Sequence, residues 1–326
     1  MDKKKFYNSS NFKIWSKLGM RASFGLAALE FGNLEKDLMI LTADVSTSAG
    51  LDRYKKKFPE KYIDVGIAEQ NLIGVATGLA SENYKVITTT FAPFQTTRCC
   101  EQIKVNLGYM KHKICMVGLA SGLVLGNLGY THCCIEDIGI LRSIPNITII
   151  SPADSAEAVK AVEASLNHTE STYIRLTGGS NNDQIYKNDY EFNIGKSITL
   201  KKGEDAAIIA TGTMVKVALE TANLMENKNK NIEVVNMHTI KPIDKNKIIE
   251  ISKRTKNIIT IEEHNVIGGL GSAVSETIAS LSSSPRLLSF GINDQYSSGG
   301  DYSFLKEKFG LNATNISEKI DMLLNS

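Results

Sequence analysis

Short apolar runs rich in Val, Ile and Thr alternate with helix-like segments along most of the chain, and this alternation constrains the fold more than any other feature. A buried parallel strand is a continuous apolar run, and a helix returns the chain to the same edge of the sheet. The pattern therefore predicts an α/β fold with doubly wound sheets. The predicted strands span 38–42, 63–65, 86–90, 114–119, 147–150, 173–176, 206–210, 233–236, 258–261 and 287–291.

A break in this alternation divides the chain into two regions. Residues 178–193 have no hydrophobic period and are rich in Gly, Ser, Asn and Asp, which is typical of a linker. A chain of 326 residues is long enough for two domains that each bury a core. We therefore predict one domain over residues 1–193, including an N-terminal extension and the linker, and a second over residues 194–326.

Composition excludes several classes of function. With 37 basic and 35 acidic residues the formal net charge is +2, and no long basic run occurs, so we expect neither a nucleic-acid nor a membrane partner. No apolar run reaches the ~18 residues of a spanning helix, and the polar N-terminus lacks a signal-peptide core, so we expect a cytoplasmic protein. The five cysteines predict no disulfide and no zinc site, and we expect the adjacent pairs at 99–100 and 133–134 to be buried on helices.

Glu69 is a lone carboxylate at the point where a predicted strand turns into a predicted helix. Gly66 provides the turn, and residues 67–80 form a helix so apolar that we expect it to be largely interior. Glu69 then lies in the first helical turn at the carboxyl end of a strand, where open parallel sheets bind ligands. From the residues alone, a carboxylate that caps the helix is an equally good interpretation.

The second region contains two patterns that suggest binding sites. Residues 268–273 (GGLGSA) follow a strand but lack the last glycine of a dinucleotide fingerprint, so tight packing of a helix on the sheet is the better explanation. Glu262, Glu263 and His264 are adjacent in an extended segment, where neighbouring side chains point to opposite faces. We predict contacts between domains or subunits for them rather than a metal site.

Several segments, in order along the chain, give Glu69 a sharper interpretation. They are 64–80 (DVGIAEQNLIGVATGLA), 90–94 (TFAPF), 129–132 (GYTH) with Glu136 and Asp137, 144–154 (IPNITIISPAD) and 173–176 (YIRL). Together they resemble the transketolases, from about Arg21 to the C-terminus. The resemblance implies a thiamine-diphosphate pyrimidine-binding domain followed by a transketolase C-terminal domain. Glu136 and Asp137 fall in the first turn of a predicted helix, where they favour its dipole, and we predict a structural role for them.

The resemblance also implies roles for individual residues. Glu69 is expected to hydrogen-bond N1′ of the aminopyrimidine of thiamine diphosphate, which promotes the tautomer that removes the thiazolium C2 proton. The other implied site residues are Phe94 stacked on the pyrimidine, Phe91 beside it, Asp44 for the cofactor, His132 for substrate hydroxyl protons, and Arg21 and Ser48 for a substrate phosphate. Without the resemblance, the two phenylalanines would be assigned to the core, and His132 would be as readily structural as catalytic.

Three positions depart from the family pattern. Ala120 stands where ordinary transketolases carry a second histidine, Leu128 where they carry an aspartate that contacts a sugar hydroxyl, and Gly178 where a phosphate-binding arginine is expected. The sequence therefore predicts an atypical substrate, namely a sugar that is deoxy, branched or otherwise modified, or one without a terminal phosphate.

A missing motif defines the expected assembly. Thiamine enzymes hold Mg²⁺ and the diphosphate with Gly-Asp-Gly, which does not occur in this chain. We expect an N-terminal transketolase subunit to carry that motif and every Mg²⁺ ligand, in an α2β2 heterotetramer. The chain is then one subunit of a transferase that moves a two-carbon ketol unit from a ketose to an aldose and is active only with its partner. The alternatives are the β subunit of a 2-oxo acid dehydrogenase or other acyl-transfer enzyme, and a non-catalytic assembly subunit.

Overall fold

Two mostly parallel sheets form the core of the protein. The computed structural model describes residues 6–296 and 298–325. The first sheet contains six parallel strands in the order β5-β6-β4-β3-β1-β2. Their bounds are β1 (Leu38–Thr42), β2 (Tyr62–Asp64), β3 (Lys85–Phe91), β4 (Cys115–Ser121), β5 (Ile147–Ile150) and β6 (Ser171–Thr177).

Helices cover both faces of the first sheet. Side chains alternate along β1, so that Met39 and Leu41 enter one apolar cluster while Leu38 and Ile40 enter the other. The helices of this region are α1 (Ser9–Leu18), α2 (Met20–Leu34), α3 (Asp52–Lys57), α4 (Glu69–Ser81), α5 (Ala92–Gln95), α6 (Cys100–Gln102), a π-helical continuation (Ile103–Tyr109), α7 (Asp137–Arg142) and α8 (Ser155–Leu166), with 3₁₀ turns at Pro59–Lys61 and Gly126–Leu128. Because α4 packs on the Met39 face and α2 with α8 on the other, the sheet is doubly wound.

The second sheet has five strands in the order β12-β11-β8-β9-β7, and only the edge strand β7 is antiparallel to its neighbour. The strands are β7 (Ile198–Lys201), β8 (Ala206–Ala210), β9 (Ile232–Asn236), β11 (Asn257–Asn265) and β12 (Arg286–Ile292). Its helices are α9 (Met214–Glu226), α10 (Lys245–Arg254), α11 (Leu270–Ile278), α12 (Tyr302–Lys308) and α13 (Ala313–Asn325).

The predicted fold class is confirmed, since all ten predicted strands overlap observed ones and residues 178–197 contain neither helix nor strand. Two strands escaped prediction because each is a short edge strand. One is β7, and the other is β10 (Thr239–Lys241), which pairs antiparallel with β5 and so joins the first sheet. The domain boundary near residue 193 stays a prediction. Strand β10 follows this boundary in the sequence, although it pairs with a strand that precedes the boundary.

Two local expectations were wrong. Helix α4 is not largely interior, because Gln70, Asn71, Gly74 and Gly78 form an exposed face. Small side chains make this helix apolar, but they do not show whether another part of the protein packs on it. The 133–134 cysteine pair is not on a helix either, since Cys134 forms an isolated antiparallel bridge to Gly122. All five cysteines are free, and four of them are buried.

A buried ion pair lies where the two sheets meet. The Arg175 guanidinium donates to both Asp137 carboxylate oxygens, at 3.1 and 2.8 Å, and to the carbonyls of Cys134 and Glu263. Asp137 also accepts from the Tyr173 hydroxyl at 2.7 Å. The Asp137 carboxylate thus does more than favour a helix dipole, because it neutralises a fully buried cation between the two sheets.

The Glu262 to His264 segment of β11 links the two regions, as predicted. Glu263 accepts from the backbone N–H of Leu123 at 2.7 Å, whereas Glu262 accepts from the N–H groups of Leu270 and Gly271 at the start of α11. Burial raises the pKa of Glu262 to about 7 and lowers that of His264 to about 4. His264 is therefore neutral near pH 7, and it contacts its acidic neighbours without forming a salt bridge.

Gly269 and Gly271 explain the glycine-rich start of α11. A Cβ atom on Gly269 would lie 1.9 Å from a Glu262 carboxylate oxygen, and one on Gly271 would lie 2.7 Å from the Ser289 hydroxyl. The helix start packs tightly on the sheet, as predicted.

No helix of the described residues is long and apolar enough to cross a membrane.

We expect Asp137→Asn to lower the free energy of unfolding by about 3 kcal/mol, because it leaves the Arg175 charge buried without its counter-charge. Urea unfolding followed by circular dichroism measures this change. The matched control is Glu276→Gln, which removes the exposed partner of Arg142 and should change the free energy of unfolding by less than about 1 kcal/mol. Equal effects of the two substitutions would contradict a central role for the buried pair.

Candidate active site

The predicted site residues gather at one edge of the first sheet, where its parallel strands end. Asp44 and Ser48 follow β1, Glu69 follows β2, Phe91 ends β3, and Phe94 lies in α5 immediately afterwards. His132 follows β4, and Arg21 lies in the first turn of α2. This edge is the one at which open α/β sheets bind ligands.

Asp64 fixes the two loops that lead to Glu69. Its Oδ1 atom accepts from the backbone N–H of Asp44 at 2.9 Å and from that of Gly66 at 3.0 Å. Although partial burial acts against it, these donors hold the pKa of Asp64 below its usual value. Glu69 follows as the first residue of α4, with 5% of its surface exposed. Asp44 itself is exposed, with a left-handed φ of 55°.

Arg98 belongs to the candidate site but was not predicted from the sequence. Its Nη1 atom lies 2.8 Å from Oε1 of Glu69, and its guanidinium carbon lies 4.1 Å from the centroid of the Phe94 ring. The signal was available, because a buried carboxylate needs a counter-charge and Arg98 is the first cation after the predicted aromatic pair. No local pattern, however, indicates the direction of its side chain.

Phe94 connects this ion pair to His132. The rings of Phe94 and His132 meet edge to face with centroids 5.3 Å apart, and Phe91 meets Phe94 at 6.4 Å. The Nδ1 atom of His132 lies 3.0 Å from the Thr131 hydroxyl, and the His132 side chain is half-buried. Glu69, Arg98, Phe94 and His132 therefore form a continuous row, which we call the Glu69 cluster.

Arg21 and Ser48 line a separate pocket of about 290 Å³ at the same edge. One wall is a close backbone contact, because a Cβ atom on Gly19 would lie 2.4 Å from the carbonyl oxygen of Gly179. Ser180 and Thr47 add hydroxyl groups to the lining. Of the described residues that line this pocket, Arg21 is the one with a charge, so the pocket combines a single cation with hydroxyl donors.

The three departures from the family pattern have distinct structural settings. Ala120 is buried near the end of β4 with a left-handed φ of 52°, whereas Leu128 is 54% exposed, four residues before His132. Gly178 has a φ of 82°, and a Cβ atom there would lie 2.8 Å from the side-chain oxygen of Asn182. An arginine at position 178 would be strained on this backbone, which favours glycine.

The Glu69 cluster fits the pyrimidine end of thiamine diphosphate. It offers a carboxylate at a helix start and a half-buried aromatic ring, and a Cβ atom on the neighbouring Gly66 would meet nothing within 4 Å. Glu69 and Phe94 would hold the aminopyrimidine. Within residues 6–296 and 298–325, no group of three or more His, Cys, Asp or Glu side chains could hold a metal ion.

Comparison with protein families agrees with this fit. Residues 16–182 match the family described as "Transketolase, pyrimidine binding domain", and residues 195–316 match "Transketolase, C-terminal domain". The chain belongs to the transketolase family, a family of thiamine-diphosphate-dependent transferases.

Individual relatives include two transketolase subunits and one split-gene transketolase. The chain is 36% identical over 288 residues to a 6-deoxy-6-sulfo-D-fructose transketolase subunit from Clostridium sp. (strain MSTE9), covering 88% of this chain and 89% of the relative. It is 33% identical over 299 residues to an apulose-4-phosphate transketolase subunit from Phocaeicola vulgatus, covering 92% of this chain and 95% of the relative. A solved structure described as "Split gene transketolase, inactive beta4 tetramer" superposes with a TM-score of 0.85 at 33% identity, covering 94% of this chain and 98% of that one.

These relatives place the chain more narrowly within its family. It is the C-terminal subunit of a split transketolase, which implies an N-terminal partner subunit. They give no support to the alternatives of a 2-oxo acid dehydrogenase subunit or an assembly protein.

Proposed function

We propose that this subunit and its partner transfer a two-carbon ketol unit from a modified or atypical ketose to an aldose. The observation that carries the proposal is the Glu69 cluster, because one sheet edge brings together the carboxylate, the aromatic ring and the histidine that the transfer requires. Thiamine diphosphate supplies the carbanion chemistry when it is bound.

Each residue of the cluster has a proposed task. Glu69 holds a proton toward N1′ of the aminopyrimidine, and Phe94 orients the ring by stacking, with Phe91 behind it. Asp44, exposed on the loop after β1, is the further cofactor contact. His132 projects from the loop beyond Phe94, where a half-buried imidazole can take and return hydroxyl protons of the substrate.

The surface around Glu69 supports a covering partner. Ile67 precedes the helix with 77% of its surface exposed. Together with the Gly74 and Gly78 face of α4, Ile67 leaves an apolar surface beside a polar site. An exposed patch of this kind is typical of a protein interface.

We assign the N-terminal subunit with the Gly-Asp-Gly motif to this surface, in an α2β2 heterotetramer. That subunit holds the diphosphate and supplies every Mg²⁺ ligand, since Mg²⁺ takes carboxylate and phosphate oxygens. We place the complex in the cytoplasm, a location that the five free cysteines support.

The Arg21 pocket supports an atypical substrate. The pocket offers one guanidinium where the family pattern predicts two, and an arginine at position 178 would be strained on the same backbone. At the other end, the apolar Leu128 replaces a hydroxyl-binding carboxylate near His132. Two relatives named above act on modified sugars, a sulfonated ketose and apulose 4-phosphate, in agreement with this proposal.

The purified chain alone should bind thiamine diphosphate weakly and show no turnover, because half of the cofactor site lies on the partner. Isothermal titration calorimetry with Mg²⁺ present, before and after addition of the N-terminal subunit, measures this directly. Tight, Mg²⁺-dependent binding by the chain alone would refute the split site.

Glu69→Ala should lower kcat of the reconstituted complex by roughly 10²–10⁴-fold, as expected for loss of proton-transfer assistance, while the circular dichroism spectrum stays unchanged. Exchange of the thiazolium C2 proton, followed by NMR, is the decisive measurement. Exchange at the wild-type rate in the variant complex would show that another group activates the cofactor.

Ordinary pentose phosphates should be poor substrates, since an apolar site does not select for a hydroxyl as a hydrogen-bonding site does. The measurement is kcat/KM with xylulose 5-phosphate and ribose 5-phosphate, compared with sulfonated, deoxy, branched and unphosphorylated sugars. Leu128→Asp should raise kcat/KM for the ordinary pair relative to the others, whereas the control Leu224→Asp on α9 should not. A clear wild-type preference for ordinary pentose phosphates would contradict the assigned substrate class.

A further inference from the structure

Arg98 contacts both groups that the cofactor ring is expected to contact. Its guanidinium pairs with the Glu69 carboxylate at 2.8 Å and covers a face of the Phe94 ring at 4.1 Å. A heterocycle stacked on this face of the ring and hydrogen-bonded to Glu69 would need the space that the guanidinium fills. On this face, Arg98 in its present position and an aminopyrimidine exclude each other.

We propose that Arg98 is a placeholder in the cofactor-free chain, closing the pyrimidine half-site until cofactor and partner displace its side chain. This inference rests on the proposed function, because it identifies the displaced position with the site of the aminopyrimidine. Arg98 is thus a positioning residue for Glu69, because it holds the Glu69 carboxylate in an ion pair until the cofactor binds.

The ion pair with Arg98 stabilises the Glu69 carboxylate, which the fold buries. Glu69 is 5% exposed, and a buried carboxylate without a partner is costly. Arg98 supplies the missing counter-charge. An ion pair uses the ionised carboxylate, however, whereas the proposed role of Glu69 requires a proton between its oxygen and a ring nitrogen. The pair must therefore open before Glu69 can act.

The surroundings of Arg98 permit this movement. Its backbone is fixed, because the N–H donates to the Pro93 carbonyl at 3.2 Å and the carbonyl accepts from the Gln70 side chain at 3.2 Å. The side chain is 42% exposed, so its charge can turn toward water. A partly exposed ion pair and a cation–π contact together change an equilibrium constant by only about threefold to tenfold, so a bound cofactor can displace them.

The test measures cofactor binding to the reconstituted complex rather than turnover. Calorimetry with thiamine diphosphate and Mg²⁺ should give a Kd that is about threefold to tenfold lower for Arg98→Gln than for wild type, because no ion pair has to open. Arg98→Lys keeps the charge without the planar contact to Phe94 and should give an intermediate Kd. The control Lys104→Gln removes an exposed positive charge from the adjacent π-helical segment and should leave Kd unchanged.

The isolated chain provides an independent measurement. Arg98→Gln should lower its melting temperature in the absence of cofactor, since Glu69 loses its counter-charge, and Lys104→Gln should not. An unchanged or higher Kd for both Arg98 variants, with wild-type binding intact, would overturn the placeholder while leaving the proposed function standing. Failure of the wild-type complex to bind the cofactor would overturn both.

Discussion

The burial of the Arg175 charge is the constraint on which the rest of the architecture depends. A fully buried guanidinium is tolerated only when its donors have partners, and these come from the Asp137 carboxylate and from the backbone of both regions. This requirement fixes the start of α7 against β11 and thereby holds the loop that carries His132. The edge of the first sheet that carries the candidate site is therefore positioned by a buried polar contact.

The candidate site contains a second buried carboxylate paired with an arginine, but this pair is more exposed. Glu69, like Asp137, is a buried carboxylate paired with an arginine, but Arg98 is partly exposed where Arg175 is enclosed. The enclosed pair of Arg175 and Asp137 is fixed, because separating it would leave a buried charge with neither water nor a partner. In the partly exposed pair, the Arg98 guanidinium can exchange its contact with Glu69 for water. Exposure of the cation distinguishes a structural ion pair from one that can yield to a ligand.

The sequence revealed the layers and the location of the site, but not the contacts that cross between elements. Strand runs such as 38–42 and 147–150 were predicted to the residue, because buried parallel strands are apolar on both faces. The short strand β10 and the direction of the Arg98 side chain depend on partners distant in sequence, which no local pattern encodes. The exposed face of α4 was mistaken for core because glycine is equally compatible with solvent, a core or an interface.

The pairing of β10 with β5 determines how the two halves of this chain would behave if they were separated. Without residues 239–241, the outer edge of β5 would present unpaired N–H and C=O groups along an apolar strand, a surface that recruits other strands. A fragment cut at the linker would thus tend to aggregate. The two halves of this subunit share a sheet, because β10 follows the linker and pairs with β5. This chain is therefore not divisible at its linker into two independent subunits.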